Sequence, residues 1–227
     1  MAETIIKYRA LLGEIDAWYR RSMERYPQLI ACQSGCSECC RSLFDITLLD
    51  AYVLKQGFDE LPQELKQKVL GKCRDRLERM RESWPEFDHP YLLNHRPEEE
   101  WSALMPEDDE TPCVLLGDDG RCLVYESRPM TCRLHGLPML DLSGEVMHDE
   151  WCTLNFPGTD PLELDGLRAP FDELIRREVA LIRDFTGELL HKRLSQLDTF
   201  IPAAPLIDFA GFDWQRWLAE FKPAEEE

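Results

Sequence analysis

Nine cysteines stand in the chain, and four of them fall within nine residues: Cys32-Gln-Ser-Gly-Cys36-Ser-Glu-Cys39-Cys40. Four more follow at Cys113, Cys122, Cys132 and Cys152. Thiolate is a soft, charged ligand suited to zinc, copper(I) and iron–sulfur clusters. An ordinary core does not need thiols at this density, so the two groups read as converging on bound metal. Ser34 and Gly35 let the chain turn back between ligands and bring sulfurs from nearby positions toward one point. The adjacent pair Cys39-Cys40 is harder to place, because neighbouring side chains of an extended segment point apart. These two serve different metals, or one ligates while the other is buried. Eight thiols suffice for two four-sulfur sites, or for one cluster plus a structural site.

The spacing bears on which metal. Zinc sites usually carry paired Cys-x2-Cys knuckles, and this chain has one such step, Cys36 to Cys39. The later gaps of nine, ten and twenty residues are loose for a zinc ribbon. Clusters are larger and accept separated ligands, so an iron–sulfur cluster, 4Fe–4S in its favoured form, is the expected cofactor, with zinc as the alternative. Arg41, Arg121, Arg128 and Arg133 flank the ligands and either offset their charge or are ordinary surface groups. His135 and His148 are the histidines near the ligands, each a ligand, a proton shuttle or a structural residue. His89 and His95 fall in a loop. The acids Asp108-Asp109-Glu110 read as solvated, and no Ser-His-Asp or Cys-His nucleophile arrangement stands out.

The elements that must position these thiols are mostly helical. Apolar residues recur at three- and four-residue steps from 3 to about 28 (Ile5, Tyr8, Leu11, Leu12, Ile15, Trp18), from Pro62 to Trp84, and from Pro170 to about Leu197. Cys73 lies in the middle stripe and reads as a small buried hydrophobe. A helix begins around Asp45–Asp50, with Thr47 able to cap it, and runs to about Gln56, where Gly57 stops it. Residues 85–112 are irregular and acidic. Residues 113–125 form a hairpin that turns at Gly117-Asp-Asp-Gly120. A second hairpin, 140–148, turns at Ser143-Gly144. After 197 comes an extended tail with a short aromatic segment, ending in a solvated Glu225-Glu226-Glu227. The expectation is a mostly helical α+β fold in a single domain, 1–227. Its metal-binding core spans 30–155, between an N-terminal helix (1–29) and a C-terminal helix with its tail (156–227).

Composition narrows the setting. Apolar residues make up 44% and charged residues 31%, which are globular values. The formal net charge of -18 repels phosphates and anionic lipid, so neither nucleic acid nor membrane is an expected partner. A basic protein partner is compatible with it. No apolar run approaches the roughly 20 residues of a membrane span, and the N-terminus lacks a secretory h-region. A cytoplasmic setting follows as the expectation, and there cysteines serve metals or redox chemistry rather than a disulfide framework.

The pattern Cys32-x3-Cys36-x2-Cys39-Cys40, then Cys113, Cys122-Leu-Val-Tyr125, Arg128-Pro129-x2-Cys132-Arg133, resembles the YkgJ-type cysteine-cluster family over roughly residues 30–155. The resemblance implies a zinc- or iron-chelating domain with ligands at Cys32, Cys36, Cys39, Cys40, Cys113, Cys122, Cys132 and Cys152. Three roles are open to such a protein. The first is a structural or electron-transfer cluster supported by Tyr125, Arg128 and Arg133. The second is a redox enzyme or metal-dependent transferase. The third is a metal carrier or sensor. No G-x-G-x-x-G loop is present to suggest methyl transfer.

Overall fold

The computed structural model describes residues 1–33, 35–106 and 109–221. Ser34, Asp108 and the three final glutamates, which figured in the readings above, lie outside the described residues. About 49% is helical, with seven α-helices and two small two-stranded antiparallel sheets among the described residues. This is the mostly helical α+β class expected.

Helix α1 (Ala2–Arg25) buries the stripe from Ile5 to Trp18. It packs on α6 (Phe171–Leu190) and on the short α5 (Met130–Leu134). Trp18 fixes its register by donating Nε1–H to the carbonyl of Leu167 at 2.7 Å and meeting the Phe171 ring edge-on. Helix α3 (Gln63–Ser83) buries Val69, Cys73, Leu77 and Met80, so Cys73 is a core residue, fully enclosed. The second hairpin forms as β2 (Met139–Leu140) with β3 (Val146–His148), turning at Gly144 with φ +93°. Helix α4 (Glu98–Ser102) is a short insertion in the otherwise irregular 85–112 segment.

Four expectations change. Thr47 does cap α2 (Leu48–Asp59), accepting the Asp50 N–H at 3.0 Å, but Gly57 lies inside that helix rather than ending it. A Cβ there would stand 2.6 Å from the Cβ of Ser127. Gly57 is therefore the point where α2 and the turn at Tyr125–Ser127 approach backbone-close. The residues before Thr47 form a strand, β1 (Asp45–Thr47), which pairs with β4 (Asp198–Phe200). The segment after α6 is thus not an extended tail. Phe200, Ala203, Ala204 and Ile207 are fully buried, and α7 (Trp214–Glu220) closes the aromatic segment. Helix α6 stops earlier than the periodicity suggests, at His191 in the left-handed region. There Thr186 accepts the Leu194 N–H at 2.9 Å and folds the chain back. Finally, the first hairpin shrinks to one antiparallel bridge, Leu116 with Cys122, around the Gly117–Gly120 turn.

Candidate metal centre

The first cysteine group rides on two tight turns. Cys36 N–H reaches the Gln33 carbonyl at 3.0 Å, and Cys40 N–H reaches that of Ser37 at 2.9 Å. Gly35 takes φ +88°, which suits glycine. Cys39 and Cys40 lie in a turn rather than an extended stretch. The backbone then joins this group to the second one. Cys113 N–H donates to the Cys40 carbonyl at 2.8 Å, Ser42 N–H to that of Thr111 at 2.9 Å, and Arg41 bridges Pro112.

The second group is framed by elements. Cys113 and Cys122 flank the bridged turn, which the Leu123 N–H closes onto the Leu115 carbonyl at 2.9 Å. Cys132 sits on α5, whose first N–H, that of Met130, is accepted by Asp50 of α2 at 3.0 Å. The same carboxylate oxygen accepts the Tyr8 hydroxyl at 2.7 Å. Arg133, next to Cys132, is buried and pairs with Asp16 of α1. It also donates to the carbonyls of Glu126 (2.8 Å) and Arg128 (3.0 Å). Arg128 joins Asp16 at 2.9 Å and lies 3.8 Å over the exposed Tyr125 ring. The Arg-Pro-x2-Cys-Arg step thus locks the Cys132 helix onto α1.

Cys152 enters from the loop after β3. Its N–H donates to the Gly136 carbonyl at 3.3 Å, and its own carbonyl accepts the Asn155 N–H at 2.8 Å. Asn155 is buried. Its Oδ1 accepts the Ala31 N–H at 2.9 Å, and its Nδ2 donates to the Gly136 carbonyl at 2.7 Å and toward the Cys32 sulfur at 3.5 Å. Tyr19 of α1 donates its hydroxyl to the same sulfur at 3.0 Å.

All eight candidate ligands are half-buried with free thiols. Charge on Cys39 acts on Cys113 and Cys132 on one side and on Cys152 on the other, and Cys32 and Cys36 act on Cys152 as well. Burial raises the thiol pKa of Cys113 to about 11 and pushes up those of Cys122, Cys132 and Cys152, with neighbouring sulfurs adding to it for Cys113, Cys132 and Cys152. Cys39 is raised first by its bond to Cys40 and then by burial. Thiols crowded this way lose their protons together only when a cation takes the charge, so the donor set suits a thiophilic metal. Among the described residues no three His, Cys, Asp or Glu side chains stand close enough to hold an ion without rearrangement.

The other sequence candidates resolve differently. Arg41 turns to Glu110 (3.5 Å), and Arg121 is exposed. Asp109 is not solvated: it is enclosed in an ion pair with Arg76. His135 packs edge-on against Phe44 at 5.5 Å, and burial with the charge of His148 lowers its pKa. His148 is in β3, opposite Met139. His89 and His95 join the C-terminal aromatic segment instead, against Phe212 and between Trp217 and Phe221. With Trp84, Arg96 and Trp217 they line a groove of ≈ 420 Å³. Sequence reasoning missed Asp16, Tyr19 and Asn155, and took Asp50 only as a capping residue. None carries a local signal, because each acts on a cysteine loop distant in the chain.

Among the described residues no helix is long and apolar enough to cross a membrane. No curated protein and no solved structure matches the chain. A family described as a "putative zinc- or iron-chelating domain", named for its CxxCxxCC cysteines, matches residues 31–153, which include all eight candidate ligands. The chain, by the match over more than half its length and by the cysteine assembly inside it, belongs to this cysteine-cluster family.

Proposed function

We propose that Cys32, Cys36, Cys39, Cys40, Cys113, Cys122, Cys132 and Cys152 bind metal as thiolates, holding an iron–sulfur cluster of the 4Fe–4S kind in a structural or electron-transfer role. The observation that carries this reading is the join between the two cysteine groups, where the Cys113 N–H donates to the Cys40 carbonyl at 2.8 Å. One such cluster takes four thiolates, which leaves four for a second site. When bound, the cluster supplies one-electron chemistry. The chain's part is to hold the sulfurs, exclude water and offset their charge. Arg128 does the last by its pull on Cys39 and Cys122. The spread of the sulfurs favours a cluster over a single ion, since a cluster spans more space than one tetrahedral centre at about 2.3 Å from each sulfur.

Zinc is the second reading, favoured by the Cys36-x2-Cys39 step. Under it the protein is a structural or metal-delivery protein. We read residues 1–227 as one domain in either case, since β4 pairs with β1 and α6 packs on α1. Anaerobic purification with iron, sulfide and zinc analysis separates the readings. The first expects a brown protein whose visible absorbance bleaches with dithionite. Colourless protein with stoichiometric zinc replaces it with the second. Folded protein lacking both metals overturns both.

A further inference from the structure

Cys32 differs from the other candidate ligands in what touches its sulfur. Cys113 and Cys152 are held through their backbone, by N–H bonds to the carbonyls of Cys40 (2.8 Å) and Gly136 (3.3 Å). The Cys32 sulfur instead meets two side chains from separate elements, the Tyr19 hydroxyl at 3.0 Å and the Asn155 amide Nδ2 at 3.5 Å. Both residues lie outside the segment matched by the family, 31–153.

We propose that Tyr19 and Asn155 form a donor clamp on Cys32 that makes its thiolate the most weakly donating ligand of the metal site. This rests on the metal-binding reading above. The amide is held in one orientation, Oδ1 by the Ala31 N–H (2.9 Å) and Nδ2 by the Gly136 carbonyl (2.7 Å), with Nδ2 nearer the sulfur (3.5 Å) than Oδ1 (3.8 Å). Gly136, at φ +102°, keeps the Tyr19 hydroxyl close: a Cβ there would stand 3.2 Å from it. The ring of Tyr19 is steadied by Trp18, edge-on at 5.9 Å, and Trp18 is itself pinned to Leu167. A metal-bound thiolate has no proton to give, so both contacts then run toward sulfur. Hydrogen bonds to a charged acceptor are the strong kind. They withdraw electron density that would otherwise go to the metal, which is how bonds to ligand sulfurs tune a centre. Tyr19 and Asn155 are positioning residues in this scheme, since neither binds the metal.

The test uses the full chain, reduced anaerobically and loaded with cobalt(II), whose sulfur-to-metal charge-transfer band reports thiolate donation. Tyr19→Phe keeps the ring and removes only the donor. Asn155→Ala removes the second donor, and Tyr52→Phe, whose ring packs on Phe185 and Phe209, is the control. Tyr19→Phe and Asn155→Ala should each move the band to lower energy, with cobalt stoichiometry unchanged, while the control keeps the parent band. The same bonds also hold the sulfur in place, and that loss outweighs the stronger donation, so in competition with a chelator cobalt affinity should fall about tenfold in each, the low end of what outer partners of metal ligands contribute. Should Asn155→Ala fail to fold, Tyr19→Phe decides alone. A Tyr19→Phe protein with the parent band and affinity overturns the clamp and leaves metal binding standing. A parent chain that takes up no cobalt overturns both.

Discussion

The two sides of the cysteine assembly are built in different ways. Cys113, Cys122 and Cys132 are framed: a bridged turn, a helix capped by Asp50, and the Arg133–Asp16 pair fix them to α1 and α2. Cys36 and Cys152 are tethered: they ride on loops held by single backbone hydrogen bonds, while Cys32 is tied in through Tyr19 and Asn155. Local stability varies across a structure in this sense, with loops at the low end, so the tethered side should open more readily than the framed side.

Removing the frame should have the largest effect. Asp16→Ala leaves Arg133 buried without an acid, although two carbonyls remain to it. Breaking a buried pair from one side costs about 3 kcal/mol or more, and chemical unfolding should show a loss near that figure. No loss would mean that the framed side is not held by α1. Gly57→Ala forces a Cβ into Ser127. Overpacking costs about 1–3 kcal/mol and the helix gains about 1 from alanine, so the net loss is about 1 kcal/mol.

Chelation sharpens the contrast without any substitution. In hydrogen exchange, stripping metal should expose the amides of 31–41 and 149–156 while 113–134 keeps its protection. Uniform loss would erase the distinction between the two sides.

The smallest effect comes from the carboxyls behind the frame. Burial, with the charge of Asp50, raises Glu178 to about 8, and burial raises Asp50 to about 6. Tyr8 lies between them, its hydroxyl 3.5 Å from Glu178. A carboxyl whose folded pKa exceeds its unfolded one holds more protons in the native state between the two values. Glu178 therefore favours the fold below its ordinary pKa of 4.5, and that contribution fades as pH rises toward about 8. Glu178→Gln should be closest to the parent in stability at acid pH and gain on it steadily up to about pH 8 in parallel denaturant titrations. A constant difference would remove Glu178 from this role.

The sequence made the candidate ligands legible and their fastening illegible. Eight cysteines announce themselves by density, and α1, α3 and α6 by an apolar stripe that local geometry dictates. The pairing of β1 with β4 had no such signal, because each strand is three residues long and its partner lies at the other end of the chain. Gly57 looked like a helix stop because close approach to Ser127 is a tertiary fact. Asn155 reaches Cys32 across 123 positions and Asp16 reaches Arg133 across 117. A buried amide or carboxylate at such separation has no periodicity to betray it. The Cys39-Cys40 pair was hard to place for a related reason: an extended backbone points adjacent side chains apart, and these two lie in a turn.

X-ray absorption at the metal edge of the anaerobically isolated protein bears most directly on the thiolate site. The account predicts a first shell of sulfur alone, with a short iron–iron distance if the metal is iron. A first shell dominated by nitrogen or oxygen would contradict it, because the cysteines would then not be the ligands.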